Sequence, residues 1–170
     1  MAGIFEEAGA ESRLIQVGGE LLRGCKACGS CKVNKDGHCI EDRDIINSCI
    51  DLMVDSDAIV IGSPVYFSQM TTEAKALIDR CGYVAGANGK LLSRKIGAAV
   101  VVGRRAGMMT TFNAINQFFL INDMIVPGST YWNVGVARGP GEIAGDEEGL
   151  QTIDRLAENI LWLGDMLISE

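Results

Sequence analysis

The order of apolar and polar positions divides the chain into short β-branched runs separated by stretches of helical period, the pattern of a parallel sheet covered by helices. Met1 to Ala8 reads as the tail of a helix, with Gly9 placed to cap it. Arg13 to Val17 reads as a strand. Asp42 or Asp44 is positioned to cap a helix whose Ile45, Ile46, Cys49, Leu52 and Met53 share one face. Asp57 to Ile61 predicts a buried strand, too continuously apolar for either face to meet water. Gly62 to Ser68 is the loop that leaves it, and Thr71 or Thr72 opens a helix running to about Arg80.

Ile96 to Val102 is the most strand-like run of all. Gly103-Arg104-Arg105-Ala106-Gly107 follows as a loop, and then a helix through Phe112, Ile115, Phe119 and Leu120. A further strand is expected over Ile125 to Tyr131, interrupted by Pro127-Gly128 as at a bulge or an edge. Gly135 to Gly149 reads as a glycine-rich, acidic surface loop, and residues 150 to 168 as an amphipathic final helix. Four strands with intervening helices predict a doubly wound α/β fold in one domain, 1–170. Such folds bind ligands at the carboxyl ends of their strands, and the loops at 62–69 and 103–110 are both such ends.

Composition narrows the function. Fifteen basic against twenty-two acidic residues leave a net charge of −7, which argues against nucleic acid or an anionic membrane surface as a partner. No apolar run approaches the roughly 20 residues needed to span a bilayer, and no signal-peptide pattern opens the chain. The expectation is a cytoplasmic protein, in a compartment where clustered thiols serve metal or redox chemistry.

Such a cluster is present. GCKACGSCKVNKDGHC, residues 24 to 39, holds four of the six cysteines at the spacing C-x2-C-x2-C-x7-C. Cys25, Cys28 and Cys31 can face one side of a tight turn that Gly24, Gly29 and Gly37 let wrap closely, and Cys39 supplies a fourth ligand. Two-residue gaps in succession favour a [4Fe–4S] cluster over zinc, with free thiols or a redox disulfide as the remaining alternatives. His38, the only histidine, reads as a solvated loop residue, and Cys49 and Cys81 as small core hydrophobes. Arg104 and Arg105 are adjacent loop arginines, able to meet a phosphate or to stay in water. Tyr66 and Phe67 either line a ligand or cover the helix at 71–80, and Tyr131 and Trp132 read as partly buried.

Taken together, the cysteine run, then DAIVIGSPVYFSQMTTEAKALIDR, then a glycine–arginine loop after the next strand resemble the iron–sulfur flavoprotein family, within the flavodoxin-like NADPH-dependent FMN reductases. The resemblance implies a three-layer flavodoxin-like fold, FMN, a [4Fe–4S] cluster, and assembly as a homodimer or homotetramer. It places the cluster on Cys25, Cys28, Cys31 and Cys39. Ser63, Pro64, Val65, Tyr66 and Phe67 would line the isoalloxazine ring, with Gly103, Arg104, Arg105 and Gly107 near its other edge. It also implies an opening strand and a G-S-P-R-x-x-G-N-T type loop holding the FMN phosphate at a helix N-terminus. No segment here matches that loop, so the sheet is expected to lack its first strand and phosphate-binding loop.

The function so implied is electron transfer between the cluster and FMN. The exchange partner would be a redox protein such as a ferredoxin, or NAD(P)H, and no side chain need act as a proton-transferring catalyst. The alternatives are a cluster-free NAD(P)H-dependent flavin or quinone reductase, and a cofactor-free assembly or interaction module.

Overall fold

A computed structural model describes residues 1–168. Among them the elements run α1 (Ala2–Glu7), α2 (Ser30–Asn34), α3 (Ile46–Asp55), β1 (Ala58–Pro64), α4 (Thr72–Ala87), β2 (Ile96–Gly103), α5 (Met108–Ile121), β3 (Val134–Val136), a 3-10 turn at Glu142–Gly145, and α6 (Glu147–Ile168). The three strands pair in parallel in the order β1-β2-β3, with Ala58 opposite Ile96 and Val101 opposite Val134. Parallel neighbours need a crossover, and α4 and α5 supply it.

Alternation along β2 explains the layering. Ala99 and Val101 point into a core shared with Ile59, Ile61, Leu77, Val84, Ile115 and Phe119, whereas Ile96 and Ala98 point the other way, against Leu156 and Ile160 of α6. Helices α3, α4 and α5 therefore cover one face, and α1 and α6 the other. Gly97 is small for a packing reason: a Cβ there would lie 2.5 Å from the Phe119 ring.

Where caps were expected they occur. The Thr71 hydroxyl accepts from Ala74 N at 3.2 Å to open α4, and Asp44 Oδ1 accepts from Ile46 N at 3.1 Å at the start of α3. Gly9, at φ 77°, follows the C-cap of α1.

Five expectations are corrected. Arg13 to Val17 forms no strand: it is β-prone but meets no sheet edge, and Leu14 lies almost wholly in solvent. Strand β1 is buried on one face only, because α1 and α6 lie over β2 and β3 and leave Val60 and Gly62 exposed. Helix α4 continues past Arg80 to Ala87, seven residues further.

The expected strand at 125–131 is a single bridge. Ile125 pairs with β2 through Gly97 N to Ile125 O and Ile125 N to Lys95 O, both 2.9 Å, before the chain leaves at Pro127, which has no N–H to donate. It returns at Val101 N to Asn133 O, 3.0 Å, to form β3 on the same edge. Across the gap the Asn133 amide donates to Ala99 O at 3.1 Å, standing in for the missing ladder bond. Tyr131 and Trp132 sit on this excursion, half exposed and packed on each other at 4.7 Å, not in the core.

The supposed surface loop at 135–149 contains the end of β3, the 3-10 turn and the start of α6. Asp146 organises it, accepting from Val136 N at 2.6 Å and from Gly149 N at 3.1 Å. No helix among the described residues is long and apolar enough to cross a membrane.

Candidate cofactor sites

The cysteine loop takes its shape from backbone that few side chains tolerate. Ala27 at φ 52° and Gly29 at φ 76° turn the chain between Cys25 and Cys31, and Lys35 and Gly37 turn it again before Cys39. Two helices then hold the loop. From α3, Asn47 Oδ1 accepts from Cys39 N while its Nδ2 donates to Cys39 O, each at 2.9 Å, and Asp51 meets His38 Nε2 at 2.7 Å. From α4, Asn88 Oδ1 accepts from Gly37 N at 3.0 Å, and Cys31 Sγ donates to the Tyr83 carbonyl at 3.8 Å.

This stitching brings Cys25, Cys28, Cys31 and Cys39 around one cavity of about 260 Å³, with Arg80 and Tyr83 in its wall. All four are free thiols, so neither a staple nor a redox bridge is formed. Donors already face the sulfurs: Ala27 N reaches Cys25 Sγ at 3.4 Å and Arg80 Nε reaches Cys39 Sγ at 3.3 Å. The Ser30 side chain, then its backbone, hold the Cys28 thiol below its ordinary pKa, so the ligand-competent thiolate is favoured there.

Among the described residues no three His, Cys, Asp or Glu side chains converge tightly enough for a single metal ion. A cubane takes one thiolate at each of its irons from outside, so its ligands stand wider apart than those of zinc. The cavity's lining of four thiols is a donor set that a [4Fe–4S] cluster takes.

Arg80 was not singled out by sequence, because α4 was expected to end there and a terminal arginine is normally solvated. It is instead 1% exposed. Burial disfavours its charge, but bonds to Asp44 and to Cys39 outweigh that and raise its pKa. Asp44 mirrors it: burial alone would raise its pKa, and the Arg80 and Ile46 N–H bonds bring it below its ordinary value. Glu41, at the cavity wall, is held at about 2 by hydrogen bonds from Arg43 and Lys26. The signal for Arg80 was legible in spacing, since Leu77, Arg80, Cys81 and Val84 share the buried stripe. Cys49 and Cys81 are buried, as expected, and burial pushes both thiols up.

The second group of residues lies at the carboxyl ends of β1 and β2. Val65 N donates to Val102 O at 2.9 Å, which extends the ladder into the loop. Tyr66 and Gln69 then exchange both backbone bonds, at 2.9 and 3.0 Å, around Phe67 (φ 49°) and Ser68 (φ 61°). Two consecutive positive φ values make a tight primed turn. No Asn-Gly or Gly-Gly pair announced it. Gly107 lets the second loop close on this turn, since a Cβ there would stand 2.6 Å from Ser68 Cα. A Cβ on Gly103 would come within 3.2 Å of Val65 Cγ2.

The outcome is an uncovered aromatic tip. Phe67 is 104% and Tyr66 64% exposed, so neither covers the helix at 71–80. Pro64, Arg104 and Arg105 are exposed beside them. Ser63 differs: it is buried, its Oγ donates to Pro64 O at 2.8 Å and accepts from Thr71 N at 3.1 Å, and it braces the loop from inside. Helix α4 carries both regions, with Arg80 about 14 Å along its axis from the Thr71 cap.

A family model described as NADPH-dependent FMN reductase matches residues 1–139. One iron–sulfur flavoprotein of Methanocaldococcus jannaschii is 36% identical over 163 residues, covering 91% of this chain and 81% of its own length. A second from the same organism is 33% identical over 160 residues, covering 88% and 79%. Among solved structures, RosB with bound 8-demethyl-8-formylriboflavin-5'-phosphate superposes with a TM-score of 0.72 at 18% identity, over 99% of this chain and 70% of that one. That likeness establishes the flavodoxin-like fold.

Proposed function

The chain belongs to the NADPH-dependent FMN reductase family, and on that premise we propose that it is an electron-transferring iron–sulfur flavoprotein. The observation that carries the proposal is the gathering of Cys25, Cys28, Cys31 and Cys39 around one cavity. When bound, a [4Fe–4S] cluster exchanges single electrons and FMN one or two, so together they convert between one- and two-electron carriers.

The chain's residues hold and shield these groups. Cys25, Cys28, Cys31 and Cys39 supply the thiolates, and the bonds from Asn47, Asn88 and Arg80 keep the loop from relaxing when an electron arrives. Pro64, Val65, Tyr66 and Phe67 offer a flat apolar wall, with Ser63 bracing it and Gly103 and Gly107 allowing close approach. Arg104 and Arg105 place positive charge where a phosphate or an anionic reduced flavin is stabilised. The exchange partner is a redox protein such as a ferredoxin, or NAD(P)H, in the cytoplasm, and the working form is a homodimer or homotetramer.

Purified Cys28→Ala protein tests the cluster assignment. It is expected to lose most iron and acid-labile sulfide yet bind added FMN, because Cys28 lies outside the flavin loops. Iron and sulfide at wild-type levels in that variant would remove Cys28 from the ligand set. A preparation binding FMN with no iron would fit a cluster-free reductase, and one binding neither an assembly module.

A further inference from the structure

Arg80 is the bulkiest of the fully buried side chains among the described residues, and it occupies the apolar stripe of α4. A buried cation is costly unless its donors are matched, and a methionine or leucine would fill such a stripe without that cost. Packing therefore does not explain an arginine here. Every guanidinium nitrogen has a partner. Nη1 donates to Asp44 Oδ2 at 2.5 Å and to Arg23 O at 3.3 Å, Nη2 to Glu41 O at 2.5 Å, and Nε to Cys39 Sγ at 3.3 Å. The first three tie down the loop before and after the cysteines. The fourth ends on a sulfur.

We propose that Arg80 tunes the potential of the cluster, holding it toward its reduced state through the Nε–H bond to Cys39 Sγ and a fixed positive charge. This inference rests on the cluster reading above. One electron gained from a reductant makes the cluster one unit more negative, and part of that charge falls on the ligand sulfurs. A charged donor at the sulfur stabilises that form more than the oxidised one. Burial enlarges the difference, because little water screens the pair. Asp44, 7% exposed and bound to the same guanidinium, carries the opposite charge and opposes the effect. The two residues thus act with opposite sign on the potential, although both serve the fold in the same way.

The test is a dithionite titration of the anaerobic, cluster-loaded protein, followed by the electron paramagnetic resonance signal of the reduced cluster. At the potential where wild type is half reduced, Arg80→Met is expected to show a reduced-to-oxidised ratio at least tenfold lower, a downward shift of about 59 mV for a one-electron couple. Asp44→Asn is expected to shift upward. If Arg80→Met loads no cluster, Arg80→Gln replaces it, with a shift in the same downward direction.

An unchanged potential in an Arg80 variant with wild-type iron and sulfide overturns the proposal. So do shifts of the Arg80 and Asp44 variants in the same direction, and so does a failure of both Arg80 variants to load, which assigns the residue to folding alone. Wild-type protein without iron or sulfide would instead overturn the cluster reading itself.

Discussion

Phe67 combines full exposure with a left-handed backbone, a conformation that costs roughly 1–2 kcal/mol for a residue with a Cβ. The Tyr66–Gln69 backbone pair and the loop at Gly107 hold that conformation, and the ring they leave in solvent is the surface the proposed FMN site uses. Phe67→Asn, which tolerates the conformation better, is expected to raise unfolding free energy by up to about 1 kcal/mol while weakening FMN binding at least tenfold. Urea denaturation and flavin fluorescence titration would check the two halves, and unaltered FMN affinity would remove Phe67 from the site. Asp44 provides a pH prediction. Its folded pKa lies below the ordinary 3.8, so the stability it contributes is complete above about pH 4 and is lost as pH falls through the lowered value. Acid unfolding followed by circular dichroism should therefore be steeper in wild type than in Asp44→Asn below pH 4. Residues of this kind were unevenly legible. Candidate ligand cysteines advertise themselves by spacing, whereas Arg80 was passed over because α4 was expected to end there.

At the scale of elements, the long apolar runs were read as the strands β1 and β2, although β1 runs on through Pro64 into the span expected as loop, and the caps of α3 and α4 were visible as Asp44 and Thr71. The misreadings share one cause: a strand is completed by its neighbours. Arg13 to Val17 has strand composition and no edge to join, and β3 takes three residues that look like loop because the Asn133 amide and Asp146 complete its pairing. The primed turn at Phe67-Ser68 was hidden for a related reason, since its geometry is imposed by the loop closing over it at Gly107. Packing between β2 and α5 carries a direct prediction. Gly97→Ala puts a methyl into the Phe119 ring and is expected to destabilise the protein by about 1–3 kcal/mol. Its denaturation midpoint should fall at unchanged m-value, and a midpoint equal to wild type would show that α5 moves freely on the sheet.

For the whole molecule, the fold serves as a frame that carries two candidate sites on one helix: the thiol cavity against the flank of α4 and the aromatic turn at its N-terminus. The α/β class was readable from periodicity, and the flavodoxin-like comparison agrees with it. How the loop at 24–39 closes was not readable, because it depends on Asn47, Tyr83 and Asn88 from distant segments. The central claim is that this closure exists to hold an iron–sulfur cluster in a flavoprotein. Iron, acid-labile sulfide, zinc and FMN measured together on one oxygen-free preparation test it most directly. The account predicts the four irons and four sulfides of a single cubane per chain with bound FMN; stoichiometric zinc with neither iron nor sulfide would contradict it.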